Sequence, residues 1–195
     1  MKYVLVVITL CIAMLMPVNC AMNSEKTHTR YSVKMSAFSW DNCERNSPIV
    51  VSSLTVSPDP ITIPGNLTGS ASVSTTVDLA SPLAAIISVE KKTFGTWIKI
   101  PCDICTYTDV CTLLNQLMPP EEGCPKLFNG QICHCPFKAG EYKVSKTNVS
   151  IPDLNLPSFL TNGNYRVQGV LRAKEKVLGC LKVSFALQSK KYGGR

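Results

Sequence analysis

Cysteine and histidine are the residue types whose numbers and spacing could do chemistry in this chain. Ten of its 195 residues are cysteines. The densest group lies in the middle of the chain and comprises Cys102, Cys105, Cys111, Cys124 and the triplet Cys133-His134-Cys135. Such spacing superficially matches that of zinc ligands, and a Cys-x-x-Cys pair can also be redox-active. The compartment decides between these chemistries and plain disulfides, because thiols persist only where the surroundings are reducing.

The N-terminus indicates an oxidising compartment. Residues 1–20 are typical of a secretory signal peptide: a basic start precedes the apolar run Tyr3–Met16, and Val18 and Cys20 suit a cleavage site. The run is shorter than the roughly 20 apolar residues of a membrane-spanning helix. We therefore expect an exported, soluble mature chain whose cysteines form disulfides and bind no metal or other cofactor.

The number of cysteines fits a disulfide framework. Cys11 and Cys20 lie in the predicted signal peptide, which leaves an even set of eight between Cys43 and Cys180. Spacing alone leaves roughly 100 pairings open. No thioredoxin-like βαβ pattern surrounds the Cys-x-x-Cys pair, so we expect a small structural loop there.

Hydrolytic catalysis has little support in the sequence. Of the two histidines, His28 lies in the polar segment 21–36, and His134 stands between two cysteines, a poor position for a mobile general base. The chain has no Gly-x-Ser-x-Gly motif, and its acidic residues are scattered rather than paired. We predict that the protein is not an enzyme.

Size and charge predict one domain without a nucleic-acid partner. After the signal peptide and a flexible or trimmed lead-in at 21–36, residues 37–188 form the predicted domain and 189–195 a basic tail. The net charge is +7, yet the chain lacks the basic stripe interleaved with aromatic residues that nucleic-acid modules carry. The positive charge either assists contact with anionic membranes or belongs to an ordinary solvated surface.

Two glycosylation sequons are present, Asn66-Leu67-Thr68 and Asn148-Val149-Ser150. Export would expose both to the glycosylation machinery. We therefore predict glycans on Asn66 and Asn148.

Strand patterns dominate the predicted domain. Leu67–Leu79 alternates apolar and polar residues, which is typical of a strand with one wet face. The same alternation over Tyr165–Leu171 and Leu181–Leu187, joined by the charged turn Lys174-Glu175-Lys176, predicts a hairpin. Further strands are predicted at Ile49–Val56, Leu83–Val89 and Trp97–Ile100.

One helix interrupts the strands. The apolar residues of Asp109–Met118 recur at helical spacing, and Pro119-Pro120 ends the run. The predicted fold class is therefore all-β with one short helix.

Large apolar side chains also fall in predicted loops. A satellite core cluster is the commoner fate of any single one. Three such loops in one small β-protein favour an exposed apolar rim that contacts a membrane or a ligand. The candidate residues are Phe94, Trp97, Leu117, Met118, Phe159 and Leu160.

Five stretches, in order along the chain, closely resemble the ganglioside activator family, lysosomal cofactors of β-hexosaminidase A. They are Phe38–Cys43 (FSWDNC), Pro58–Ile61 with Pro64–Asn66, Trp97–Cys102 (WIKIPC), Cys133–Lys138 (CHCPFK) and Gly163–Arg166 (GNYR). The similarity extends over about 37–187, and motifs of this length are specific.

The resemblance implies a structure as well as a family. It implies an antiparallel β-cup or sandwich around an apolar lipid cavity, with mobile apolar loops at the mouth and a glycan on Asn66. The disulfides that it implies are Cys43–Cys180, Cys102–Cys105, Cys111–Cys135 and Cys124–Cys133. Two features depart from the family. The loop between Cys102 and Cys105 is several residues shorter, and Phe159 replaces a loop tryptophan, losing the indole N–H that suits membrane interfaces.

The function that the resemblance implies is lipid transfer without catalysis. The protein would extract gangliosides and related glycosphingolipids from anionic membranes and present them to β-hexosaminidase A, in the lysosomal lumen or after secretion. Two alternatives stay open. One is a secreted carrier of sterol or phospholipid that uses the same cup, and the other is a cryptic hydrolase that depends on His134 or a carboxylate.

Overall fold

The computed structural model of the chain describes residues 35–102, 105–125, 128, 130–153 and 158–189. The predicted signal peptide, nearly all of the predicted lead-in and the tail after Ser189 lie outside these residues. Their boundaries therefore stay predictions.

Ten strands account for most of the described residues. They are β1 (Ser39–Asn42), β2 (Ile49–Ser57), β3 (Ile61–Ile63), β4 (Gly65–Thr75), β5 (Ala84–Thr93), β6 (Thr96–Ile100), β7 (Thr106–Tyr107), β8 (Gly140–Ile151), β9 (Gly163–Ala173) and β10 (Lys176–Ser189). The helices of the described part are α1 (Val110–Leu117), the 3-10 helix Pro120–Glu122 and α2 (Ser158–Thr161).

The strands form two sheets. The larger has the order β1-β10-β9-β5-β6, with β3 parallel to the end of β10 and β7 antiparallel to β5. The smaller consists of β2-β4-β8, all antiparallel. The predicted all-β, largely antiparallel fold is confirmed.

The two sheets are joined at β1 and β2. The side-chain Nδ2 of Asn42 donates a hydrogen bond to the carbonyl oxygen of Val51 (2.8 Å), and its Oδ1 accepts one from the Val51 N–H (3.0 Å). The next residue, Cys43, forms a disulfide with Cys180 of β10. A side-chain clamp and a covalent bond therefore fix one edge of the larger sheet.

Two apolar clusters fill separate parts of the space between the sheets. The larger draws on both sheets and contains Ile63, Leu67, Val89, Ile151, Tyr165 and Leu187. The second contains Leu83 and Leu178 together with Cys111 of α1. Along β9 and β10 the two clusters lie at opposite ends of the strands.

Between the clusters, several inward-facing apolar side chains are incompletely buried. The inward-facing positions there have the same alternation phase as the buried residues of the larger cluster, yet their apolar side chains are only half-buried. They are Leu54, Ala71, Val73 and Val144 on the smaller sheet and Leu181 and Val183 on the larger. A close-packed sandwich would bury such positions. Solvent therefore reaches part of the apolar surface between the sheets.

The predicted helix at Asp109–Met118 is confirmed by α1, for which Asp109 is the N-cap and Met118 the C-cap. The expectation of a single helix was incomplete, because α2 forms a four-residue turn at Ser158–Thr161. One turn is too short to show a helical period in sequence.

Several strands differ from the sequence prediction, and the short strands β1, β3 and β7 were not predicted. β4 ends at Thr75 rather than Leu79, because the Thr75 hydroxyl donates to the carbonyl of Val77 (2.7 Å) and accepts from its N–H (3.3 Å). Leu79 forms an isolated bridge with Phe137. β8 was not predicted at all.

Four disulfides are present among the described residues. They join Cys43 to Cys180, Cys102 to Cys105, Cys111 to Cys135 and Cys124 to Cys133. This is the pairing that the family resemblance implies.

Within the part of the chain that the structure describes, every helix is too short or too polar to cross a membrane.

Candidate functional site

The β5–β6 hairpin has one face toward the interior and one toward solvent. Lys91 pairs with Ile98, and Val89 with Ile100. Because Val89 belongs to the larger core cluster, Lys91 and Ile98 share its inward face. Lys92 and Trp97 pair with each other on the outward face.

Phe94 occupies the tip of this hairpin in an uncommon backbone conformation. The two-residue turn Phe94-Gly95 has positive φ at both positions, 50° and 85°. Such turns favour Asn-Gly or Gly-Gly, and a large non-glycine residue with positive φ is unusual. The Phe94 side chain is 94% exposed, so a bulky apolar group projects into solvent from a strained turn.

Two further exposed apolar side chains lie around Lys91. Phe159 on α2 is 66% exposed and Ile98 is 51% exposed. The Lys91 Nζ lies 5.8 Å from the centroid of the Phe159 ring, and Ile98 is the cross-strand partner of Lys91. Phe94 follows three residues along the hairpin, roughly 10 Å away at the rise of a strand. We call Phe94, Ile98 and Phe159 the apolar rim.

Tyr165 fixes the rim to the interior. Its hydroxyl donates a hydrogen bond to the carbonyl oxygen of Leu160 (2.6 Å), which holds α2 against β9. Its ring stacks on Phe185 at 5.9 Å between centroids. Burial raises the pKa of the Tyr165 phenol, so the group stays neutral and serves as a donor. The rim therefore adjoins the apolar interior through a buried side chain.

Trp97, a predicted lipid-loop residue, lies on the opposite face of the hairpin from Lys91. The guanidinium Cζ of Arg166 sits 4.1 Å from the Trp97 ring centroid, and the Lys92 Nζ lies 5.8 Å from it. Arg166 also forms an ion pair with Glu90 at 3.4 Å. The half-buried indole is thus part of a cation-rich outer surface.

The other predicted lipid-loop residues are less exposed. Leu117 and Leu160 are half-buried, and Met118, at the end of α1, is 6% exposed. Membrane contact through Met118 would require the end of α1 to move. The structure thus brings Phe94 and Phe159 to the exposed rim and leaves Leu117, Met118 and Leu160 more enclosed.

Asp109 connects α1 to the segment before β5. Its carboxylate accepts hydrogen bonds from the Ser81 hydroxyl, from the Leu83 and Cys111 N–H groups (both 3.1 Å) and from the Thr112 hydroxyl (2.9 Å). These donors, led by Ser81, lower the pKa of Asp109 to about 2. The carboxylate therefore stays ionised in moderately acidic solution.

The cysteine-rich segment offers one group of metal-ligating atoms among the described residues. The sulfur atoms of Cys124 and Cys133 and a ring nitrogen of His134 lie within 4.8 Å of one another. Because the two sulfurs are joined in a disulfide, they cannot act as thiolate ligands. In this oxidised form the group is structural.

The two sequons face each other across β4 and β8. Asn66 pairs with Ser150, and Thr68 pairs with Asn148. Both asparagine side chains are exposed, whereas the intervening Leu67 is buried. The predicted glycan sites thus share the outer face of the smaller sheet.

Comparison with known families identifies the class. Residues 37–187 match the ML domain, so the chain belongs to the ML-domain family. The match covers all ten strands except the last two residues of β10.

Two relatives of this chain are ganglioside GM2 activators. The chain is 48% identical over 162 residues to the ganglioside GM2 activator of Macaca fascicularis and 43% identical over 164 residues to that of Mus musculus. Each alignment covers 80% of this chain and 85% of the relative. A Niemann-Pick type C2 protein from the Japanese carpenter ant has 15% identity and a TM-score of 0.42, over 77% of this chain and 99% of its own.

Sequence reasoning missed Lys91 and Ile98. A signal for Lys91 was available, because Ile87, Val89 and Lys91 continue one alternation. A lysine in the apolar phase of a strand indicates a charge at the border of the core.

Proposed function

We propose that this protein is a lipid-transfer activator that takes glycosphingolipids, gangliosides in particular, out of membranes. Two observations carry the proposal: apolar side chains between the two clusters are only half-buried, and an exposed apolar rim borders the larger cluster. Ligand-binding sites are concave and mostly apolar with few polar groups, which fits this interior. The relatives named as ganglioside GM2 activators support the choice of lipid class.

The physical need for such a carrier is large. A ceramide has on the order of 30 methylenes, and each contributes about 0.8 kcal/mol to membrane retention. Transfer into water therefore costs more than about 20 kcal/mol, and a water-soluble glycosidase cannot wait for free monomer. An apolar interior that accepts the acyl chains removes most of this cost.

The rim gives the protein a means of reaching the lipid. Phe94 and Phe159 insert into the membrane surface, and the lipid chains move past Ile98 into the space between the sheets. The oligosaccharide stays outside, where a glycosidase can act on it. Basic residues of the outer face, such as Lys92 and Arg166, add attraction to anionic vesicles.

The partner and compartment follow from the same proposal. The partner is β-hexosaminidase A, and the protein acts in the lysosomal lumen or after secretion. In this proposal its own role is non-catalytic, in keeping with the relatives named as activators. The hydrogen bonds of Asp109 cap a helix, and His134 contacts disulfide sulfurs.

A transfer assay tests the proposal. Purified mature protein is incubated at acidic pH with anionic vesicles that contain ganglioside, and vesicles with sterol or with labelled phospholipid are run in parallel. Selective extraction of ganglioside is expected, followed by faster product release when β-hexosaminidase A is added. Extraction of sterol alone, or of every lipid equally, would instead favour the general carrier. Product release by the protein alone would point to a hydrolase.

A further inference from the structure

Lys91 is an ammonium group on an otherwise apolar inward face. Its alternation partners on β5, Ile87 and Val89, pack in the larger core cluster. Its cross-strand partners are Ile98 on one side and the buried Tyr165 on the other. A strand position of this kind normally takes an apolar residue, so the charge requires an explanation.

Two aromatic rings hold the amine in place. The Nζ lies 5.5 Å from the Tyr165 ring centroid and 5.8 Å from that of Phe159. The Lys91 stem passes over Gly163, where a Cβ would lie 3.1 Å from the lysine Cε. Gly163 has a φ of 131°, so side chains are disfavoured there on both counts. The space that Lys91 occupies is thus kept clear.

Among the residues that the structure describes, none forms an ion pair with this amine. Within the described part of the chain, the ion pairs formed are Lys138–Asp78, Lys143–Glu141 and Arg166–Glu90, and none includes Lys91. The adjacent Glu90 faces the other side of the sheet toward Arg166. Half-burial of Lys91 lowers its pKa, and desolvation is the cause. A partly desolvated charge is unfavourable until an anion approaches it.

Its position selects the kind of anion. Lys91 lies where the apolar rim adjoins the interior, which is the level at which the headgroup of an inserted lipid meets its chains. We propose that the Lys91 ammonium binds the anionic group of a lipid headgroup, a sialic-acid carboxylate or a phosphate, while the lipid chains lie between the sheets. The inference rests on the proposed function and adds a headgroup-selecting residue to it.

The test compares two glycolipids that differ only in the anion and adds an anionic phospholipid. Neutral phosphatidylcholine vesicles carry a trace of monosialo-ganglioside, of its asialo derivative with the same ceramide, or of phosphatidylglycerol. K91M keeps the aliphatic stem and removes the charge, K91R keeps the charge, and K99M removes an exposed charge on the outward face of the hairpin. Initial transfer rates are measured for each protein and each lipid.

We expect K91M to lower ganglioside transfer about tenfold, the loss of one charge-assisted contact, and to leave asialo transfer unchanged. K91R should retain most of the activity, and K99M should resemble wild type. A parallel loss for phosphatidylglycerol would extend the site to phosphate, and a loss confined to that lipid would assign it to phosphate. Equal losses for all three lipids, or no loss for any, would overturn the proposal.

A second measurement does not depend on transfer. NMR resonances of the Lys91 Cε–Hε group in the full mature protein are followed during titration with free sialic acid, with lactose as the neutral control. A shift at Lys91 for sialic acid alone is expected, even if wild-type protein transfers no glycolipid and the proposed function fails. No shift at Lys91 in that situation would overturn the anion site as well.

Discussion

The hydroxyl of Thr68 donates a hydrogen bond to the side-chain oxygen of Asn148, which joins one glycosylation sequon to the other. The contact crosses from β4 to β8, where Thr68 and Asn148 are direct partners. N-glycosylation modifies the asparagine nitrogen and leaves the oxygen free to accept this bond. The pairing of the sequons is therefore compatible with a glycan at each.

Both sequons should be occupied. Wild-type protein from a secretory host should lose two increments of apparent mass on enzymatic deglycosylation, N66Q and N148Q one each, and the double variant none. T68S, which keeps a hydroxyl in the first sequon, is the control and should retain both glycans. A single increment for wild type would show that the facing strands admit only one glycan.

Phe94 should lower the stability of the protein and strengthen its binding to membranes. Phe94→Asp gives the turn a residue that tolerates positive φ, and should raise the free energy of unfolding by about 1 kcal/mol. Asp is preferred to Asn, which would create the sequon Asn-Gly-Thr at 94–96. Loss of the exposed ring should weaken binding to neutral vesicles about tenfold.

The control for Phe94 is a substitution that keeps the apolar character. Phe94→Leu should retain most of the vesicle binding and give no gain in stability, because the backbone conformation is unchanged. Urea unfolding and vesicle sedimentation measure the two properties. Vesicle binding by the Asp variant equal to that of wild type would remove Phe94 from the membrane contact.

Asp109 should confer resistance to acid. Its pKa is lowered from 3.8 to about 2 by its hydrogen bonds in the folded state, so its contribution to stability is complete above about pH 4 and is lost as pH falls toward 2. Asp109→Asn keeps the shape but cannot accept all of these hydrogen bonds. The variant should have a lower Tm at pH 5, and its difference from wild type should shrink between pH 4 and 2.

Thermal unfolding across pH measures this effect. Glu141→Gln is the matched control, because the exposed pair of Glu141 with Lys143 should contribute little. A Tm difference for Asp109→Asn that stays constant down to pH 2 would mean that ionisation of Asp109 is not the cause.

The disulfides should differ in their contributions to stability. Cys43–Cys180 spans 137 residues and Cys102–Cys105 spans three. In the loop-entropy description, replacing both cysteines by serine should cost about 5 kcal/mol for the first pair and about 2 kcal/mol for the second. Urea unfolding of the two double variants measures the difference, and equal losses would contradict the loop-length account.

Much of the fold could be predicted from sequence patterns. The hairpin of β9 and β10 and the helix α1 follow from uninterrupted alternation and spacing, which local sequence encodes directly. β8 could not be found in this way, because its inward residues shift phase. Tyr142 and Val144 face inward before a bulge, and Thr147 and Val149 face inward after it. A bulge shifts the alternation by one residue, so the sequence lacks the regular pattern from which a strand is predicted.

The candidate site was predictable only in part. Apolar residues in turns indicated exposure of Phe94 and Phe159, and both are exposed. The face on which Trp97 lies depends on the register of β5 with β6, and the stacking of Arg166 depends on β9 as well. The residues that contact Lys91 belong to three separate elements. Contacts between elements that are far apart in the chain cannot be predicted from the sequence of any one segment.

The two bulges of the smaller sheet affect the size of the ligand that can fit between the sheets. Ser52 is an extra residue in β2 opposite β4, and Ser145 and Lys146 in β8 stand against a single residue of β4. Both irregularities lie beside the half-buried apolar residues in the middle of the sheet, and bulges bend the strands that contain them. They thereby set the curvature of one wall. Deleting Ser52 should flatten the smaller sheet and allow it to pack closely against the larger one. Lengthening either bulge should change the size of the ligand that fits between the sheets.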